Sequence, residues 1–159
     1  MATMDQPDFG VASLDTMKSM SGLDFMQAIL DGRLPRPPIA ATLNFALVEV
    51  AKGFAAFEGM PGSAHYNPIG SVHGGYAATL LDSCMGCAVQ TTLAQGFGYT
   101  TLEFKISFIR GMTSETGRVR AEGRVIAAGR RVGTAEGKLI DAEGRTLATG
   151  TTTCLIMAL

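Results

Sequence analysis

A long segment with almost no charge limits most strongly what this chain can fold into. From residue 75 to residue 94, Asp82 is the only charged side chain. The segment has about the length of a membrane span, but its Gly, Ser, Thr, Gln and Asp content makes it a poor one. Its apolar residues recur at helical spacing, and its other side is small and uncharged. The pattern therefore predicts a soluble helix, roughly over residues 75–93, that is buried on nearly all sides.

Strand patterns lie on both sides of this helix. Before it, the sequence predicts a hairpin with strands near residues 43–50 and 54–58. After it, turns that contain glycine separate further strands at residues 100–108, 118–127, 131–140 and 145–156. One buried helix with about six mostly antiparallel strands indicates an α+β fold in which a curved sheet wraps a long central helix.

The N-terminal part has a different character. Residues 1–20 show no clean periodicity, and we expect a flexible or accessory arm there. The stretch from Ser21 to Asp24 resembles a capping box, and apolar residues follow it at helical spacing, which predicts an extra N-terminal helix that Gly32 ends. A chain of 159 residues is long enough for one sizeable core and short for two. We therefore expect residues 21–159 to form a single domain.

Charge and composition exclude several classes of protein. Thirteen basic and fourteen acidic residues leave a net charge of -1, which lacks the basic footprint of a nucleic-acid binder. The N-terminus carries acids where a signal peptide needs positive charge, and it has no continuous apolar region. We therefore expect a cytoplasmic protein that binds neither nucleic acid nor membranes.

The three cysteines do not form a recognisable disulfide or metal framework. Cys84 and Cys87 have the C-x-x-C spacing, but Cys154 alone cannot complete a zinc site. The pair also does not follow a strand at a helix start, where a redox dithiol would be activated. We expect these residues to pack inside the helix, with no bound metal.

Two groups suited to chemistry lie along the predicted helix. Backbone N–H groups at a helix N-terminus, here at Gly74, can stabilise an oxyanion, and a buried carboxylate such as Asp82 can act as base or nucleophile. Eight residues of helix separate the two by roughly 12 Å, so they cannot contact one reacting atom within a chain. Two antiparallel copies related by a twofold axis would bring Gly74 of one subunit to Asp82 of the other. The spacing permits this arrangement, and small residues on the same side are compatible with a close approach of two helices: Gly75, Ala78 and Gly86.

The run Asn67-Pro-Ile-Gly-Ser-Val-His73-Gly-Gly75, followed by Leu81-Asp82 and a Gly- and Ala-rich continuation, resembles the hotdog-fold acyl-CoA thioesterases of the PaaI-like (phenylacetate-degradation) group. The resemblance extends over about residues 22–155. An Asn six residues before the His and an Asp nine residues after it make the motif specific. It implies a hotdog fold, an acyl-CoA substrate, and a homodimer that commonly forms a dimer of dimers, the homotetramer. It implies no cofactor, since coenzyme A is part of the substrate.

The resemblance also implies roles for the motif residues. The Gly74 N–H donates to the thioester carbonyl, and Asp82 of the opposite subunit attacks that carbonyl or activates a water. Asn67 binds near the carbonyl or the water, while His73 fixes the turn and contacts the substrate. Gly75 shares the oxyanion-binding turn.

Further residues are candidates for binding the water or the substrate. Thr101 is the best match for a hydroxyl that holds the nucleophilic water, with Thr100 and Ser83 as alternatives. Some relatives carry a water-binding Thr four residues after the acid, where this chain has Gly86. Three arginines at or near strand ends could contact the coenzyme A phosphates: Arg110, Arg130 and Arg131.

Two other functions remain open from the sequence. One is a non-catalytic acyl-CoA binding or sensing protein with the same fold, in which Asp82 would be a buried acid satisfied by backbone donors or by Ser83. The other is a hotdog dehydratase or hydratase, which the His-Gly-Gly and Asp82 pattern fits poorly. The acyl group is also open between aryl, phenylacetyl-type and medium-chain groups, and only the resemblance favours an aromatic one.

Overall fold

The computed structural model describes residues 9–159. The first eight residues, which belong to the predicted arm, lie outside that range. In the rest of the arm, Leu14–Lys18 form a short helix, α1, whose cap is Ser13: its hydroxyl oxygen accepts a hydrogen bond from the Thr16 N–H at 3.1 Å. The Arg36 guanidinium lies 4.4 Å from the centre of the Phe9 ring. The division of the chain at residue 20 stays a prediction.

The predicted N-terminal helix is confirmed as α2, Gly22–Leu30. The Ser21 hydroxyl accepts a hydrogen bond from the Asp24 N–H at 3.2 Å, which caps the helix, and donates one to Asp24 Oδ2 at 2.7 Å, so Asp24 binds the Ser21 hydroxyl and not the Ser21 N–H of a full capping box. Past the helix end, Gly32 adopts a φ of +74°, a conformation that favours glycine. A third short helix, α3, spans Pro38–Thr42.

Six antiparallel strands form one sheet around the long helix, which confirms the predicted α+β hotdog architecture. The spatial order is β1-β2-β4-β5-β6-β3, so β1 and β3 form the two edges. The observed strands lie within a few residues of the predicted ones: β1 Phe45–Ala51, β2 Phe54–Gly59, β3 Phe97–Phe108, β4 Val119–Ala128, β5 Val132–Asp141 and β6 Thr146–Ala158.

The long helix, α4, spans Gly74–Gln90 and packs one side against the concave face of the sheet. The backbones approach so closely that a Cβ at Gly123 of β4 would lie 2.2 Å from the Cys84 carbonyl oxygen. The other side of α4, which carries Asp82, is only half-buried within one chain. No helix within residues 9–159 is long and apolar enough to cross a membrane. The buried residues of α4 are Tyr76, Ala77, Leu80, Leu81, Cys84, Met85, Gly86, Ala88 and Val89.

Candidate active site

Asn67 organises the loop that leads into α4. Its Oδ1 accepts hydrogen bonds from the N–H groups of Ile69 and Ser71, both at 3.1 Å, and its Nδ2 donates to the Ser71 hydroxyl at 3.0 Å. The Asn67 N–H also donates to the Ser71 carbonyl at 2.8 Å. These bonds use the amide oxygen and one of the two amide hydrogens. The second amide hydrogen has no acceptor among residues 9–159.

The head of α4 leaves one backbone donor free. His73 is the N-cap, and its Nδ1 accepts the Gly75 N–H at 2.8 Å. The Gly74 N–H has no acceptor among residues 9–159. The predicted oxyanion donor, the Gly74 N–H, is thus available, whereas the N–H of the neighbouring Gly75 is engaged by the cap.

Packing disfavours a side chain at Gly75 and leaves little room for one at Gly74. A Cβ at Gly75 would lie 2.8 Å from His73 Nδ1, so a side chain there would push the capping ring away. A Cβ at Gly74 would lie 3.0 Å from Cζ of Phe108, whose ring covers the first turn of the helix. The cap and the ring together fix the direction of the free N–H.

Asp82 lies near the middle of α4 and is bound by one strand residue. The Thr101 hydroxyl donates to Asp82 Oδ1 at 2.9 Å, whereas Oδ2 accepts no hydrogen bond from the part of the chain that the structure describes. Thr100 is exposed and points to the opposite face of β3, because successive strand side chains alternate. Of the two threonines, Thr101 is the one brought to the acid. Ser83 is half-buried and follows Asp82 about 100° further round the helix.

Tyr99 is a neighbour of Asp82 that sequence reasoning missed. A Cβ at Gly86 would lie 2.4 Å from the Tyr99 hydroxyl, so Gly86, where some relatives carry Thr, makes room for this phenol. Burial, together with the nearby Cys87 and Asp82, raises the pKa of Tyr99 well above its ordinary value, and the hydroxyl stays protonated. Alternation along β3 places Tyr99 on the same face as Thr101, which is the signal that could have found it.

The structure separates the three candidate phosphate-binding arginines, all of which are exposed. Arg110 follows β3 and lines a small cavity with Gly74 at the head of α4. Arg130 and Arg131 lie in the β4–β5 turn. The next residue, Val132, pairs with Leu155 of β6, which on its other side pairs with Thr100 of β3. About 33 Å of extended strand separates that end of the sheet from Arg110. One chain therefore does not bring all three to one ligand.

The three cysteines are free thiols. Cys84 and Cys154 are buried, and burial raises the pKa of Cys87 to about 12. The described range, residues 9–159, contains no group of three or more His, Cys, Asp or Glu side chains placed to hold a metal ion. Because burial raises their pKa values, Cys84 and Cys87 of α4 remain uncharged thiols.

The acid and the free donor lie on the same helix but far apart. Both belong to α4, so the eight residues between Gly74 and Asp82 correspond to roughly 12 Å along its axis. A carbonyl group that accepts a hydrogen bond from Gly74 is therefore out of reach of Asp82 in the same chain.

Comparisons with known proteins place the chain in a family. The thioesterase superfamily model matches residues 69–148. Among solved structures, a phenylacetic acid degradation-related protein from Ralstonia eutropha JMP134 is 31% identical, with 82% of this chain and 98% of that chain covered and a TM-score of 0.74. A point mutant of the phenylacetic acid degradation protein PaaI from Thermus thermophilus is 26% identical, with 74% and 97% covered and a TM-score of 0.67.

A third similar structure has a ligand. It is the smu.793 protein from Streptococcus mutans UA159 bound to acetyl CoA, which is 25% identical, with 72% of this chain and 90% of that chain covered and a TM-score of 0.66. No curated protein matches the chain. The chain belongs to the thioesterase superfamily, and its structural relatives include the phenylacetic acid degradation proteins that the Asn67-to-Asp82 motif predicted.

Proposed function

We propose that this protein hydrolyses an acyl-CoA thioester to the free acid and coenzyme A, without a bound cofactor. The observation that carries the proposal is the pair of available groups on α4: Asp82, with one oxygen held by Thr101 and the other free, and the Gly74 N–H without an acceptor in the described chain. Thioester hydrolysis needs such a pair, a base or nucleophile and an oxyanion donor. Membership of the thioesterase superfamily and the acetyl CoA bound to a relative support this substrate.

The site residues account for each step of the reaction. Asp82 either attacks the carbonyl carbon to form an anhydride that water then cleaves, or removes a proton from a water that attacks directly. In both routes the carbonyl oxygen gains a negative charge, which the Gly74 N–H and the positive end of α4 stabilise. The C–S bond then breaks, and coenzyme A leaves as a thiolate, which needs little acid help because thiols have a pKa of about 8.5.

The reaction also requires a second subunit. Asp82 and Gly74 are roughly 12 Å apart on one helix, so the proposal pairs Gly74 of one protomer with Asp82 of its partner. The twelve-residue edge strand β3 supports this arrangement, since it exposes Leu102, Phe104 and Phe108, and exposed apolar edge strands favour pairing with another strand. Pairing β3 with its twofold copy would set the two α4 helices antiparallel. We propose that two such dimers form the homotetramer.

A hydrolysis assay over a panel of aryl and aliphatic acyl-CoAs, run with the wild type and Asp82→Asn, tests the function. Asparagine keeps the shape of the side chain but is neither an effective base nor a nucleophile, so kcat is expected to fall by about 10²–10⁴-fold. If the wild type bound these esters and hydrolysed none, it would be an acyl-CoA binding protein instead. If Asp82→Asn kept full turnover, the activity would stand but the mechanism would be rejected.

A further inference from the structure

A cavity of about 520 Å³ lies at the C-terminal part of α4, the helix that carries Asp82, and no role has been assigned to it above. It is enclosed by α2, β1, β2, the C-terminal part of α4 and the start of β3. Its lining is mainly aliphatic and aromatic. Representative lining residues are Phe25, Ile29, Leu30, Leu34, Leu47 and Leu159.

The helix that carries Asp82 continues into the wall of this cavity. Positions 82, 86 and 90 follow one another at four-residue spacing and therefore share one face of α4. Gln90 lines the cavity, two turns after Asp82, and Gly86 lies between them. The face that presents the carboxylate thus leads toward the cavity over about 12 Å.

Strand β3 also runs from the residue that binds Asp82 to residues that line the cavity. Thr101, which binds Asp82, is two residues from Tyr99, and Tyr99 and Gly98 both line the cavity. The phenol of Tyr99 lies directly against Gly86, four residues after Asp82 on α4, and Tyr99 also lines the cavity. The acid and the cavity therefore lie along the same face of α4 and the same strand β3, and an acyl chain that starts at the acid must extend along them to reach the cavity.

We propose that this cavity binds the hydrocarbon chain of the acyl group, and that the substrates are medium-chain aliphatic acyl thioesters. This inference rests on the proposed thioesterase function. The volume equals that of about seventeen water molecules, which is far more than the six carbons of a phenyl ring occupy. It also lies within the range of small-molecule pockets. The thioethers of Met17 and Met26 in the wall adapt well to a flexible chain.

A pair of substitutions on β1 tests the assignment. Ala46 lines the cavity, so Ala46→Phe fills part of it, whereas Val48→Phe places the same ring on the same strand outside the cavity. The ratio of kcat/KM for decanoyl-CoA to that for acetyl-CoA is expected to fall at least tenfold in Ala46→Phe, because each buried methylene is worth about fourfold. Val48→Phe should keep the wild-type ratio.

A variant that enlarges the cavity should have the opposite effect on the preferred acyl-chain length. Phe25→Ala removes a half-buried ring from the wall, and the preferred chain length should increase among acyl-CoAs of eight to sixteen carbons. Hydrolysis with a chain-length profile that neither variant alters, or a preference for phenylacetyl-CoA over decanoyl-CoA, would overturn this inference and leave the thioesterase function intact. A failure to hydrolyse any acyl-CoA would overturn both.

Discussion

The Thr101 hydroxyl donates to Asp82 Oδ1 at 2.9 Å, and within the described chain it is the only hydrogen-bond donor to this carboxylate. The bond holds one oxygen and leaves the other without a donor among residues 9–159. Thr101→Val removes the donor with little change of shape, so kcat should fall about tenfold or more with a small change in KM, because the carboxylate loses its fixed orientation. Thr101→Ser keeps a hydroxyl and should retain most of the activity. Equal losses in both variants would exclude a role for the hydrogen bond.

The free Gly74 N–H can be removed without breaking the helix. Proline is tolerated at the first helical position, and the preceding residue, His73, has φ -59° and ψ 136°, a conformation that proline allows. Gly74→Pro should therefore lower kcat by about 10²–10³-fold through loss of the oxyanion donor. Gly74→Ala introduces the same crowding against Phe108 but keeps the N–H, and it should be much more active.

Coexpression of Gly74→Pro with Asp82→Asn tests whether the two groups act across subunits. Random pairing makes half of the dimers mixed, and each mixed dimer has one site with both groups intact. Activity should then recover to about a quarter of the wild-type value, although each variant alone is nearly inactive. A coexpressed sample no more active than the separate variants would mean that Gly74 and Asp82 do not act in one shared site.

Local pattern was sufficient to predict α2, α4 and the six strands, but it did not predict the short helices α1 and α3. The scarcity of charge between residues 75 and 94 predicted α4, and the Ser21 cap predicted the start of α2, because both depend on neighbours along the chain. Strand ends were predicted less well. For example, β3 begins at Phe97, where its pairing with Ala158 at the end of β6 extends the strand beyond the predicted boundary.

The parts of the site that depend on tertiary packing could not be predicted. The bulge at Leu102 shifts the register between Thr101 and Glu103, and no local signal marks it. The contact of Tyr99 with Gly86 depends on how β3 curves over α4. Because β3 pairs with β6 at the edge of the sheet, Arg110 lies at the opposite end from the β4–β5 turn.

Tyr76 provides a prediction about stability. Its side chain is 3% exposed, and its hydroxyl has no hydrogen-bond partner within residues 9–159. Burial raises the pKa of Tyr76 to about 12, so the group is a neutral, unsatisfied donor. Tyr76→Phe removes it and should increase the free energy of unfolding by about 1 kcal/mol, seen as a higher denaturant midpoint at unchanged m.

Tyr66 is the matched control for Tyr76. Its hydroxyl donates to the Ser114 hydroxyl at 3.1 Å and accepts the Ser114 N–H at 2.9 Å, so Tyr66→Phe should lower the midpoint. If Tyr76→Phe also lowered it, the Tyr76 hydroxyl would have to be hydrogen-bonded in solution.

Asp141 should make stability depend on pH. Its buried carboxylate accepts the N–H groups of Glu143 and Arg145 at 3.1 and 2.8 Å and the Arg145 Nε–H at 2.6 Å. Burial alone would raise the pKa of Asp141, but these hydrogen bonds and the charge of Arg145 outweigh it, and the pKa lies below its ordinary value. A lowered folded-state pKa stabilises the protein fully above the unfolded pKa of about 4, and that stabilisation is lost as the pH falls through the folded pKa.

Asp141→Asn isolates this contribution because it keeps the shape of the side chain but removes its charge. The free energy of unfolding of the variant should lie below that of the wild type at pH 7. The difference should shrink as the pH falls below about 4, because the unfolded wild-type carboxylate then takes up a proton before the folded one does. Urea titrations of both proteins at pH 7, 5 and 3 measure the difference directly. Arg145→Gln should reduce the same pH-dependent difference, since it removes the charged partner of Asp141. A gap between wild type and Asp141→Asn that stays constant from pH 7 to pH 3 would show that the charge of Asp141 does not stabilise the turn between β5 and β6.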